Sequence, residues 1–278
     1  MSVPFTRLFS TSAFEGLRSL YRQREFHPAL PLAELTAIVT RVEADSAGLD
    51  FEAAFVLAGV VGDAAPVGEG VLFYQWCVVV VILSERPVWA KVMTLGRQKF
   101  AQKLARDEQQ CFRAAGLLVD PPTPLVIGWW DRIVGHVRLA ADQERLERAR
   151  IAEKLTIEHE VRRLRELGIH REVKWIAIED NTAAYDVLSF DQGSVEPTNR
   201  LIEVKSTVAS PLRFQLTRHE WDNACRFGNA YHFHIWDLHA EPYRLYERSV
   251  AQVAPHVPED RQRGRWRNVE IPVGSQSQ

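Results

Sequence analysis

The chain has 278 residues, of which 46% are hydrophobic, 25% charged and 10% aromatic. This is the composition of an ordinary folded protein and excludes a collagen-like, low-complexity or largely disordered chain. With 34 Lys and Arg against 36 Asp and Glu, the formal charge is −2. Global basicity of the histone kind is therefore excluded, while a local basic patch is not.

Cys77, Cys111 and Cys225 are far apart and show no C-x-x-C or Cys/His ligand spacing. Neither a disulfide framework nor a zinc site is expected, and the thiols read as reduced and cytoplasmic. The first 26 residues are interrupted by charge and lack the apolar run and cleavage site of a secretory signal. Residues 71–83, VLFYQWCVVVVIL, are the longest apolar stretch. They fall short of the ~20 residues a membrane-crossing helix needs, so a buried element and no membrane partner are expected.

In chain order, residues 32–61 hold two helix-length segments separated by Asp45-Ser46-Ala47-Gly48, a stop and restart. The β-branched run from Cys77 to Leu83 suits either a buried strand or a buried helix. Residues 94–116 place Phe100, Leu104, Cys111 and Phe112 at helical spacings and end at Gly116 before Pro121, Pro122 and Pro124. Residues 125–167 read as helical, first through an apolar part with Trp129 and Trp130, core anchors by type. The second part is a charged amphipathic stretch that stops at Gly168.

Beyond it, strands are expected at 172–178, 183–190, 201–207, 212–216 and 231–238, with a helix at 218–227 that Thr217 and Glu220 open as a capping box. The fold class is α/β: a mixed sheet flanked by helices, preceded by a mainly α-helical N-terminal domain. The expected boundaries are 1–145 for the helical domain, 146–250 for the α/β domain and 251–278 for an Arg-rich C-terminal segment.

Chemistry concentrates in AYDVLSFDQGSVEPTNRLIEVKST, residues 184–207. Strand alternation puts Glu203 and Lys205 on one face and Ile202 and Val204 on the other. Antiparallel pairing with the preceding strand brings Asp186 beside Glu203. Two adjacent carboxylates repel unless a positive charge separates them, and Mg²⁺ commonly uses one or two carboxylates with water and phosphate oxygens. The Val204 carbonyl is a further candidate ligand. Lys205 would hold or help deprotonate a water aimed at phosphorus. An isolated E-x-K on a strand is more often a surface ion pair, so the weight comes from Asp186 and the acids nearby.

The stretch YDVLSFD, LIEVKST, FQLTRHEWDNA and YHFHIWDL resembles, over residues 148–240, the NO VEIN C-terminal-like domain, a branch of the PD-(D/E)XK nuclease superfamily. Four motifs occur in the family's order. The resemblance implies a restriction-endonuclease-like fold and a Mg²⁺- or Mn²⁺-dependent nuclease acting on DNA, RNA being the other substrate class. Asp186, Glu203 and Lys205 match the motif residues, and Glu153 matches the helix acid, with Glu160 as the alternative one seven-residue step on. Ala152 and Ala184 stand where the family has Gly. The resemblance also suggests a role in restriction or anti-phage defence; a separate competing expectation is an interaction protein whose N-terminal helices recruit a helicase or ATPase subunit, and a second copy of the chain is a further candidate partner. A catalytically silent nuclease fold that binds nucleic acid or recruits a partner is the other competing expectation.

Arg261, Arg263, Arg265 and Arg267, interleaved with Trp266, form a candidate nucleic-acid grip. His232 and His234 share a strand face without an evident third ligand and read as ordinary strand histidines. Gly62, Gly68 and Gly70 are followed by no G-K-[ST], so no P-loop is present.

Overall fold

A computed structural model describes residues 3–180, 182–260 and 264–274. It divides into two compact units, residues 1–142 and 143–278.

The first unit is helical: α1 (Phe5–Leu8), α2 (Thr11–Phe26), α3 (Leu32–Val42), α4 (Phe51–Val61), α5 (Gly70–Glu85), α6 (Arg97–Ala101), α7 (Arg106–Ala114) and the start of α8 (Pro124–Glu166). The expected pair of helices in 32–61 is α3 and α4, separated by a 3-10 helix, Ala44–Gly48. The ambiguous run from Cys77 to Leu83 lies in α5. Phe73, Tyr74, Cys77, Val78, Val81 and Ile82 of this helix are buried in the unit's core. There, tertiary burial outweighs the modest helix propensity of four consecutive valines. Phe100, Phe112, Trp129 and Trp130 pack ring against ring, and the Trp130 indole donates to the Leu117 carbonyl at 3.0 Å. Trp130 thus combines large buried area with a satisfied polar tip. No single described helix is long and apolar enough to cross a membrane. One bent pair, Gly70–Glu85 with Val88–Leu95, passes the length and composition test together, across a 113° turn. All three cysteines are free, Cys77 and Cys111 buried and Cys225 exposed.

Helix α8 opens with Thr123 accepting from the Val126 amide and Pro124 at its first position, and ends at Gly168 with φ +70°. That left-handed residue lets the Ile169 amide turn back onto the Leu164 carbonyl. In the second unit the charged half of α8 lies over one face of a five-stranded sheet. Its strands are β1 (Lys174–Trp175), β2 (Val187–Asp191), β3 (Thr198–Thr207), β5 (Tyr231–Asp237) and β6 (Arg244–Ser249), in the order β1-β2-β3-β5-β6. All neighbours are antiparallel except β3 and β5, which are parallel. The connection between them runs through β4 (Arg213–Thr217) and helix α10 (Arg218–Phe227), as a parallel pair requires. β4 pairs with β7 (Asn268–Pro272) in a second, two-stranded sheet.

Two expectations change. The segment 172–178 is not a continuous strand: only β1 forms, and the chain then winds into α9 (Ile176–Glu179). The amides of Ile176 and Ala177 both turn onto the Asp186 carbonyl, which ends the ladder. The stretch beyond 250 is more than an Arg-rich segment. It forms α11 (Val250–Val253) and β7, and Val253, Ile271 and Val273 enter the core beside Phe214, Leu216 and Phe233.

Strand alternation divides the sheet as expected. Ile202 and Val204 pack with Val187, Trp236 and Ala152 of α8. Leu201 lies on the other face with Tyr231, Phe233 and Ile235. Glu203 and Lys205, in step with Leu201, belong to that second face.

Candidate active site

The register Val187↔Ile202 between antiparallel β2 and β3 puts Asp186, one residue before β2, next to Glu203. The Val204 amide donates to Asp186 Oδ2 at 2.7 Å, fixing that carboxyl across the strand gap. Lys205 Nζ lies 2.8 Å from Glu203 Oε1 and 2.8 Å from Glu220 Oε1. Glu220 reaches it from the first turn of α10, where its Oε2 accepts from the Thr217 amide at 2.9 Å and the Thr217 hydroxyl accepts from the Glu220 amide at 3.2 Å. The Tyr231 hydroxyl is 3.0 Å from Glu203 Oε2 and 2.8 Å from the Ala184 carbonyl. Both oxygens of Glu203 are thus oriented, one by an ammonium and one by a phenol.

The electrostatics follow from crowding acids out of water. Burial, reinforced by the charge of Glu203, pushes the Asp186 carboxyl up to about 8, against the opposing pull of the Val204 amide and Lys205; Glu153 adds a smaller upward push. Burial also raises Glu203, with Lys205 opposing. For Lys205 burial works against the charge, but Glu203 and Glu220 outweigh it and hold the ammonium above its usual range. Burial works against the charged form of Glu220 too, yet Lys205 and the Thr217 cap keep it below the usual carboxylate range. Lys205 is therefore a cation at neutral pH, and Asp186 is largely protonated as long as no further positive charge is added. A charged Lys205 can hold a water by donating to it, whereas taking a proton from one requires the ammonium to lose its own first.

The two helix acids separate. Glu153 receives hydrogen bonds from Arg150 and from the Trp175 indole, and its charge acts on Asp186. Glu160 is fully buried elsewhere: its Oε2 accepts from Ser189 at 2.6 Å and from Arg163 at 2.8 Å, and its Oε1 lies 3.6 Å from Arg200 Nε. Arg200 also pairs with Glu247 at 2.6 Å, and His234 lies 3.7 Å from both Glu160 and Glu247. His232 and His234 thus belong to an arginine-centred polar core under α8. Burial drives His234 down to about 3, so it is neutral.

Arg261 and Arg263 lie outside the described residues. Arg265 and Arg267 are exposed, and the Arg267 carbonyl accepts from the Arg218 amide at 2.8 Å, which ties this segment to the start of α10. The Arg218 guanidinium lies 5.3 Å over the Trp266 ring and pairs with Asp222 and Asp260 at 2.8 Å. The Trp266 ring therefore packs against protein on one side, which weakens its expected role as a base-stacking platform.

Among the described residues no group of three or more His, Cys, Asp or Glu side chains is gathered as a metal cage. The oxygen donors that do converge are Asp186 and Glu203. Together they suit a hard divalent cation that keeps several waters or takes phosphate oxygens, and the upward displacement of Asp186 marks a place where added positive charge is favourable. Glu220 and Tyr231 escaped sequence reasoning as site residues. Glu220 was legible as half of a capping box and within the FQLTRHEWDNA motif, and Tyr231 at the start of YHFHIWDL, neither with a role in the site.

Residues 152–247 match the family described as Protein NO VEIN, C-terminal. The match bears out the resemblance to the NO VEIN C-terminal domain, and its span contains Glu153, Asp186, Glu203, Lys205, Glu220 and Tyr231. No curated protein and no solved structure matches the chain.

Proposed function

We propose that this NO VEIN C-terminal domain is a PD-(D/E)XK-type, metal-dependent nuclease that hydrolyses phosphodiester bonds in DNA. The observation that carries the reading is the placement of Asp186, Glu203 and Lys205 on one side of the β2–β3 pair, with Lys205 held as a half-buried ammonium between two carboxylates. Asp186 and Glu203, with the Val204 carbonyl, would hold Mg²⁺ or Mn²⁺. When bound, such a cation supplies Lewis-acid polarisation of the phosphoryl group and a more acidic water. Lys205, charged and fixed, donates to the attacking water or to the phosphoryl oxygens on which negative charge develops. Tyr231 keeps Glu203 turned toward the site, and Glu153 offers a further acceptor at the Asp186 edge. Arg265 and Arg267, exposed and joined through the Arg267 carbonyl to the start of α10, would hold flanking phosphates. Restriction or anti-phage defence is the setting that the family resemblance implies.

A second reading has one observation in its favour. Both oxygens of Glu203 and the ammonium of Lys205 are engaged by other protein groups, a closed network that also suits a silent nuclease fold acting as a nucleic-acid-binding or partner-recruiting subunit. Incubation of the full chain with plasmid, linear duplex, single-stranded DNA and RNA, with Mg²⁺, Mn²⁺ or EDTA, separates the two. Metal-dependent cleavage of DNA is the expected result; DNA binding without cleavage under any metal favours the silent reading.

A further inference from the structure

We propose that Glu220 is a positioning residue that keeps the Lys205 ammonium in place at the reaction centre; the proposal rests on the nuclease reading above. If Glu203 alone held Lys205, it would have two incompatible tasks. A carboxylate that turns its electron density toward a divalent cation loosens its grip on an ammonium two residues away on the same strand. Lys205 needs a second anchor on a different element, and Glu220 supplies it at 2.8 Å from the helix that crosses between β3 and β5.

The geometry of Glu220 is that of a built support. A helix cap requires only one of its oxygens, and on an exposed helix the other would face water. Here Oε2 is tied to the Thr217 amide and Oε1 is aimed at Lys205, and the two side chains are 22% and 17% exposed. The backbone tie restricts the glutamate rotamer, so the strand face and the start of α10 are locked to each other through one carboxylate. The ammonium is thereby kept near its position whichever way Glu203 turns. Residues that act through another group in this way typically cost about 10–100-fold in activity when removed.

The capping and positioning roles can be separated, because glutamine also serves at the third position of a capping box. In the full chain with Mg²⁺ or Mn²⁺, single-turnover cleavage of a duplex oligonucleotide is compared for wild type, Glu220→Gln and Thr217→Ala, alongside urea unfolding and duplex affinity measured in Ca²⁺. The expected result for Glu220→Gln is a rate about 10–100-fold lower with the duplex affinity retained; its urea midpoint falls too, because the amide that keeps the cap turns an NH2 group toward the Lys205 ammonium. Thr217→Ala should lower the midpoint with the rate retained. A Glu220→Gln protein that cleaves like wild type overturns the proposal, as does a Thr217→Ala protein that loses as much rate as Glu220→Gln. If the wild type cleaves no substrate with any metal, the nuclease reading itself has failed and this proposal falls with it; if the wild type cleaves and Glu220→Gln is indistinguishable from it, only the positioning role is lost.

Discussion

Asp186→Asn tests the electrostatics of the site without needing activity. Asparagine keeps an oxygen that can accept from the Val204 amide but removes a carboxyl that burial and Glu203 push from 3.8 to about 8. The folded-state value is raised, so between pH 4 and 8 the native protein binds more protons than the unfolded chain. Stability contributed by this group therefore falls as pH rises through that window. At pH 7 the wild type forfeits roughly 1.4 kcal/mol per pH unit above 3.8, about 4 kcal/mol in all. Relaxation around a pair of neighbouring carboxyls reduces this, so Asp186→Asn is expected to stabilise the metal-free protein by about 2–4 kcal/mol at pH 7–8 and by close to nothing at pH 4. Urea titrations in EDTA at these pH values measure the difference. Added Mg²⁺ should then stabilise the wild type and not the variant, because only the wild type offers the second carboxylate. Equal stabilities at pH 7–8, or an advantage that persists undiminished at pH 4, would refute the account of Asp186.

Two further outcomes follow from the arrangement around the sheet. Glu160→Ala leaves Arg163, Arg200 and Ser189 without their shared buried acceptor; it is expected to cost about 3–5 kcal/mol in urea unfolding, and an unchanged midpoint would show that the polar core under α8 contributes nothing to stability. Arg265→Ala with Arg267→Ala should weaken duplex binding and flatten its dependence on log salt by about one unit per arginine. An unaltered salt slope would remove the C-terminal segment from the nucleic-acid surface.

Much of the site was readable because strand periodicity is rigid. Once Leu201 is assigned to a strand, Glu203 and Lys205 must share a face, and a turn-rich loop before them makes antiparallel pairing with the Asp186 strand the economical choice. The start of α10 was equally legible, since Thr217 and Glu220 form a capping box by local spacing alone. What stayed hidden depends on contacts between residues distant in sequence. Nothing local says that the second oxygen of Glu220 meets Lys205, or that Tyr231 reaches Glu203 from a strand 28 residues on. Glu153 and Glu160 lie on nearly the same helix face. Only the three-dimensional partners, Trp175 and Arg150 for one and Ser189, Arg163 and Arg200 for the other, tell them apart. The run from Cys77 to Leu83 was ambiguous for a different reason: apolar residues continue onto the less buried face of α5, at Val79, Val80 and Leu83, and erase the periodicity that separates strand from helix. β7 escaped notice because its partner β4 lies some fifty residues earlier, and the intervening arginines suggested a solvated segment.

The central claim is that Asp186, Glu203 and Lys205 form a phosphodiester-cleaving centre. Its most direct test is single-turnover cleavage of supercoiled plasmid by the full chain in Mg²⁺ or Mn²⁺, wild type against Lys205→Ala. Wild-type protein is expected to nick or linearise the plasmid with either metal and not in EDTA, and Lys205→Ala to slow cleavage by about 10²–10³-fold while still binding DNA. Metal-dependent cleavage that survives Lys205→Ala at the wild-type rate would contradict it.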